Sequence, residues 1–230
     1  MTILYGTAIL LAAYLIGSIP SGLIIVRLIT GKDVRTIESG RTGGTNVMRA
    51  AGFWAGLGTA IFDMLKAAVT VWLARGLFPQ NVWLHILAPI GAILGHNFSI
   101  YLVERMEDGR LRFRGGAGGA ACVGGSFGLW APSLLIILPL SAVSLYFIGY
   151  ASLSTLIAAL LSTLVFVIRA WVGASQWQYA LYGLIASVLL AWSLRPNIKR
   201  LLNGTERLVG FRARRAKDSE QVPKATNDEK

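Results

Sequence analysis

Apolar residues run along this chain in long blocks rather than at the spacing of an amphipathic helix or an alternating strand. The blocks fall at residues 2–29, 53–76, 82–102, 118–131, 132–150, 153–169 and 174–194, with short polar stretches between them. A helix rises about 1.5 Å per residue and a bilayer's hydrocarbon core is about 30 Å thick, so roughly 20 apolar residues make one crossing. The pattern predicts an all-α polytopic membrane bundle of about seven transmembrane helices. Residues 118–150 are the least regular part. Glycines and Pro132 there fit two short helices, one broken helix or a re-entrant segment, which leaves six or eight crossings as alternatives. The first block has no basic start, is longer than the apolar part of a leader and contains Gly17-Ser18-Ile19-Pro20-Ser21-Gly22, so it reads as a retained helix rather than a cleaved signal.

Composition agrees with this pattern. Of 230 residues, 54% are hydrophobic and only 14% charged, against about 25% charged in a soluble domain. Cys122 is the only cysteine, and His85 and His96 are the only histidines. An intramolecular disulfide is thereby excluded, and no thiolate or imidazole cluster exists for a metal, so no metal and no organic cofactor is expected.

The net charge of +11 would suggest nucleic acid in a soluble protein, but its distribution points to a membrane cause and away from nucleic acid. Eighteen of the 22 lysines and arginines fall in three stretches: residues 30–52, residues 103–116, and the tail beyond Leu194. By the positive-inside rule all three face the cytoplasm, which places the N-terminus outside and the C-terminus inside. Trp83, Trp130, Trp171 and Trp177 then fall at outer helix ends, where interfacial aromatics belong. The chain divides into a bundle at 1–195 with cytoplasmic loops at 30–52 and 103–117, a cytoplasmic motif at 196–210, and a disordered basic tail at 211–230 that contacts membrane lipids.

Two glycine-rich segments are candidates for chemistry. In the first loop, Ser39, Gly40, Arg41, Gly43, Gly44, Thr45, Asn46 and Arg49 combine backbone amides, hydroxyls, a carboxamide and guanidinium groups, the parts of a phosphate cradle. The alternative is a flexible basic loop that caps a helix at Thr45 or Asn46. In the second, Arg114, Gly115, Gly116 and Gly118 could form an anion nest at a helix start, or could be small residues that let helices approach closely. Asp63 and Lys66, three apart on one face of an apolar helix, read as a structural ion pair, with substrate contact as the alternative. His96 is a candidate phosphate donor or proton shuttle, against the alternative of a packing residue.

The order of these motifs resembles the acyl-phosphate glycerol-3-phosphate acyltransferases of bacterial membranes. The match includes Gly17-Ser18-Ile19-Pro20 with Gly22, Ser39-Gly40 through Arg49, Asp63 with Lys66, Gly95-His96 with Phe98, Phe113 through Gly118, Ser152-Leu153-Ser154, and Asn197 through Leu201 with Gly204-Thr205-Glu206. The resemblance implies a seven-helix bundle in the inner (plasma) membrane, acyl phosphate and glycerol 3-phosphate as substrates, and a cytoplasmic active site. It also implies that Ser39, Arg49 and Asn197 are the catalytic or acceptor-binding residues, with the glycines shaping a phosphate pocket. Three positions depart from the family pattern: Arg41 stands where asparagine is expected, Ala117 where lysine is expected, and Leu194 where histidine is expected. They raise a second reading, a weak or inactive relative that binds acyl phosphate or lipid and regulates synthesis. A solute transporter, which would use similar inward charges and broken helices, is a third.

Overall fold

A computed structural model describes residues 2–213 and 215; the expected disordered tail lies almost wholly outside the described residues. Helices α1 (Thr2–Ser18) and α2 (Ser21–Thr30) form one apolar span broken at Ile19-Pro20. Proline has no amide hydrogen, so the break frees carbonyls of the preceding turn. Ser99 Oγ donates to Ser18 O at 2.6 Å and Lys66 Nζ donates to Ile19 O at 3.0 Å, satisfying two of them. The first loop holds a single 3-10 turn at Val34–Thr36 and leads into the short amphipathic helix α3 (Gly44–Ala51). Helix α3 starts from Gly43 and not from a Thr45 or Asn46 cap; both residues lie inside its first turn, and the Asn46 side-chain oxygen accepts from Ser39 N in the loop.

Four further helices follow the expected blocks closely: α4 (Phe53–Leu77), α5 (Val82–Asn97), and, after the irregular middle, α8 (Ala151–Trp171) and α9 (Gln178–Ser193). The middle itself consists of two helices, α6 (Gly119–Leu129) and α7 (Ser133–Ile148), separated at Trp130–Pro132. Helix α10 (Arg195–Leu202) turns away from α9 by 68° where Pro196 begins it. Among the described residues, four helical segments are long and apolar enough to cross a membrane, or five if the bent α9–α10 pair is one span; α6 and α7 are shorter apolar helices. The all-α expectation needs one correction. Between α5 and α6 the chain forms an antiparallel hairpin of β1 (Val103–Arg105) and β2 (Leu111–Phe113), with Val103 opposite Phe113.

The core lies where α4, α5, α6, α8 and α9 meet, around Val71, Ile86, Ile93, Phe166, Tyr182 and Leu190. Helices approach through small residues, as expected where lipid offers no hydrophobic drive for association. A side chain at Gly95 would strike the α1 backbone at Tyr14, and one at Gly124 would strike the α4 backbone at Met64. The outer surface is apolar: Leu135 is 77% exposed and Phe147 69%. This is the surface of a multi-pass membrane protein.

Candidate functional site

Three segments far apart in sequence close one hollow of about 300 Å³. The first loop and α3 contribute Ser39, Arg41, Gly43, Gly44, Thr45, Asn46 and Arg49. The start of α6 contributes Ala117, Gly118 and Gly119. Helix α10 and the segment after it contribute Asn197, Arg200, Glu206 and Arg207. Asp63 and His96 also line it, and Phe53, Leu57, Ala60 and Leu145 give it an apolar side.

The first loop takes its shape from its own backbone. Gly40 sits at φ +66°, a conformation that costs glycine nothing, and a Cβ there would also come within 3.1 Å of Arg35 O. Asn46 Nδ2 shares its two hydrogens among Val34 O, Ile37 O and Arg41 O, and its Oδ1 accepts from Ser39 N at 3.4 Å, so this buried side chain shapes the loop from within. At the loop's start, Asp33 accepts from the Arg35 backbone and pairs with Arg27 and Arg35, and the Arg35 guanidinium holds its carboxyl well below the usual carboxylate range. Glu104 on β1 bridges Arg35 and Arg114, tying the loop to the hairpin.

The cations differ in how they are engaged. Arg41 is buried deeply enough that desolvation, reinforced by Arg200, pulls its pKa below the guanidinium norm, although an arginine remains a cation throughout the working range. Its Nη1 donates to Gly116 O at 3.0 Å and Ser193 Oγ at 3.2 Å; its Nη2 donates to Ser193 O at 2.7 Å and Asn197 Oδ1 at 3.3 Å. Arg200 pairs with Glu206 at 3.0 Å and Arg207 with Glu38 at 3.4 Å. Arg49 lines the hollow with no hydrogen-bond or ion-pair partner among the described residues, and its burial likewise lowers its pKa. An unengaged guanidinium lining the same hollow as Ser39 suits an incoming oxyanion.

The sequence candidates therefore separate. Ser39, Arg41, Gly43, Gly44, Thr45, Asn46, Arg49, Asp63, His96, Gly118 and Asn197 line the hollow. Gly116 lies against its rim, its carbonyl held by Arg41. Gly40, Gly115 and Arg114 lie behind the wall, with Arg114 paired to Glu104, and Lys66 sits beneath the floor with Asp63. Gly118 is left-handed at φ +89°, and a Cβ there would come within 2.7 Å of Asn97 Oδ1, so only glycine lets α6 begin there. Reading for phosphate ligands overlooked Glu206. Its Oε1 accepts from Asn197 Nδ2 at 2.9 Å and Ser152 Oγ at 3.2 Å, and its Oε2 pairs with Arg200. One signal was available: Glu206 is the only acidic residue between Asp108 and Asp218.

The three departures from the family pattern meet at one place. Arg41 donates to the residue before Ala117 and to the residue before Leu194, and both apolar side chains line the hollow beside it.

A helical membrane bundle carrying a basic, glycine-walled hollow at one end defines a class of membrane protein that handles phosphorylated substrates. The glycerol-3-phosphate acyltransferase family model matches residues 7–204, and this chain belongs to that family. It is 36% identical over 204 residues to the glycerol-3-phosphate acyltransferase of Thermus thermophilus, spanning 89% of this chain and 95% of that protein. It is also 36% identical over 203 residues to that of Rhodopseudomonas palustris, spanning 88% and 95%. Among solved structures it resembles PlsY (YgiH), an integral membrane glycerol 3-phosphate acyltransferase, in its glycerol 3-phosphate form, with a TM-score of 0.75, 27% identity, and coverage of 90% of this chain and 96% of that one. The lysophosphatidic acid form of PlsY gives a TM-score of 0.74 at 26% identity, covering 91% and 97%.

Proposed function

We propose that this protein transfers a fatty acyl group from an acyl phosphate to the 1-hydroxyl of glycerol 3-phosphate, giving 1-acylglycerol 3-phosphate (lysophosphatidate) for phospholipid synthesis. The observation that carries the reading is the convergence of Ser39, the unengaged Arg49 and the α6 start on one hollow with an apolar side. An acyl phosphate is already activated. The glycerol oxygen attacks the acyl carbon, the bond from that carbon to the phosphate oxygen breaks, phosphate leaves with the electron pair, and the hydroxyl proton passes to phosphate. No acyl-enzyme is needed, so the protein's task is to hold two anions in register and offset their repulsion.

In this reading Arg49 and Ser39 bind the acceptor's phosphate, and the backbone amides around Gly118 and Gly119 hold the donor's. Asn197 is held by Arg41 and Glu206 as a wall of the site. The buried charge of Arg41 stands in for the cation missing at Ala117. Arg114, engaged by Glu104 behind the wall, does not.

We further propose seven crossings in the cell's inner membrane, with α6, α7 and α9 added to the four long spans, the N-terminus outside and the hollow facing the cytoplasm. Support comes from the meeting of two basic stretches, the first loop and the segment beyond Leu194, at the hollow, with the third tied to the first through the Arg114–Glu104–Arg35 bridge. At the other end, Trp83 packs on Trp177 with ring centroids 6.0 Å apart, and Arg169 lies over Trp130 at 3.9 Å, as a shared outer interface requires.

The regulatory reading keeps one specific observation in its favour: Arg41 directs its hydrogen bonds into the wall, leaving apolar Ala117 and Leu194 in the lining of the hollow. Purified protein given a defined acyl phosphate and glycerol 3-phosphate separates the two. Lysophosphatidate and inorganic phosphate in one-to-one yield are expected; saturable binding of both substrates without product would establish the regulatory relative.

A further inference from the structure

Beneath the hollow, Asp63, Lys66 and His96 form a buried cluster whose geometry fixes where the histidine carries its proton. Lys66 Nζ lies 2.9 Å from Asp63 Oδ1, 3.0 Å from Ile19 O and 3.0 Å from His96 Nδ1. An ammonium has three hydrogens and no lone pair, so these three neighbours are its three acceptors. His96 Nδ1 must therefore present its lone pair. A ring protonated at that nitrogen would set two donors face to face. Its remaining acceptor would be Asp63 Oδ1, 3.4 Å away and already taking Ser21 Oγ and Lys66. The ring proton is left on Nε2.

That nitrogen faces the site. His96 lines the hollow, its Nε2 has no partner among the described residues, and a Cβ on Gly116 would collide with it. The histidine also accepts from Gly116 N through its main-chain oxygen at 2.9 Å, so ring and rim are held together. An N–H aimed into a basic hollow is placed to donate to an oxyanion bound there.

We propose that His96 is a positioning donor locked in its Nε2–H tautomer by Lys66, and that this N–H bonds a phosphate oxygen of the substrate over Gly116. It neither shuttles a proton nor serves as a base, since its one lone pair is held by the ammonium. The Asp63–Lys66 pair thus acts on the substrate through the imidazole. This inference rests on the hollow being a phosphate site, but not on turnover.

The test uses the whole protein labelled with ¹⁵N-histidine in detergent or nanodiscs. There are two histidines to observe, and a His85→Gln variant assigns them. His85 Nε2, 2.9 Å from Phe78 O and remote from the hollow, is an internal control. Without ligand, His96 is expected to show a protonated Nε2 and an unprotonated Nδ1. Adding inorganic phosphate or glycerol 3-phosphate should shift Nε2 while Nδ1 stays unprotonated and His85 does not move. In parallel, His96→Gln, which retains an N–H near the Nε2 position, should hold glycerol 3-phosphate more tightly than His96→Leu, for which a loss of about 10- to 100-fold is expected from removing a donor to a charged group. A protonated Nδ1, an Nε2 signal indifferent to both ligands, or equal losses in the two variants would overturn the proposal. A protein that passes these tests yet makes no lysophosphatidate would end the catalytic reading and leave this one standing.

Discussion

Two arginines eight positions apart in the first loop have opposite fates, and the difference is a matter of partners. Arg49 bonds nothing among the described residues, so its loss is expected to raise the KM for glycerol 3-phosphate by about 10- to 100-fold, the usual worth of a charge-assisted bond, while thermal stability in detergent stays unchanged. Arg41 bonds Gly116, Ser193 and Asn197, so Arg41→Ala should lower stability by about 2 kcal/mol or more and reduce kcat as well as affinity. If Arg41 stands in for a cation at position 117, Ala117→Lys alone crowds a second charge against it and should reduce activity. Arg41→Asn combined with Ala117→Lys should recover activity lost in Arg41→Asn. Independent, additive effects in that double-mutant cycle would show that the two positions are not exchanging a role. The sequence offered Arg41 as a cation in a glycine-rich loop and as a departure from a pattern. It could not offer its partners, which lie 75 to 156 positions away.

Elements carried their own signals unevenly. Pro20 and Pro196 mark breaks because each lacks the amide a continuous helix needs, and both breaks fall there. The β1–β2 hairpin was hidden because its arginines read as inward charge, yet Asp108-Gly109 is a hairpin turn pair between short segments containing apolar residues. Glycine in an apolar block did not say which neighbour it admits; the structure pairs Gly95 with α1 and Gly124 with α4. Gly124→Leu is therefore expected to cost about 1–3 kcal/mol or more in thermal unfolding, because the obstruction is backbone and cannot rotate away. In the first loop, the lowered pKa of Asp33 means that its ion pairs contribute stability above the ordinary aspartate value near 3.8, and that this contribution disappears as pH falls through the lower folded value. Asp33→Asn should thus lower the melting temperature at pH 7 by the equivalent of about 0.5–1 kcal/mol, a partly exposed pair's worth, with the gap to wild type closing in strong acid.

At the scale of the whole molecule, composition and apolar length foretold a multi-pass helical membrane protein, while span count was harder to read. An 11-residue helix such as α6 is only about 16 Å long, and whether it counts as a crossing depends on how the bundle surrounds it. Sidedness can be read directly. In a Cys122→Ser background, an impermeant maleimide applied to intact cells should label Asn81→Cys, between α4 and α5, and should reach Glu107→Cys, in the hairpin turn, only after the membrane is opened; the reverse pattern would invert the topology. The convergence of the first loop, the α6 start and the α10 segment is the feature on which function depends, and no one of those stretches announces it alone. The most direct test is an experimental structure of this protein with glycerol 3-phosphate bound. The expected result places the ligand's phosphate within hydrogen-bond distance of the Arg49 guanidinium and the Ser39 hydroxyl, inside the hollow and leaving room beside Gly118 for a second phosphate. Glycerol 3-phosphate bound elsewhere, with Arg49 and Ser39 untouched, would contradict it.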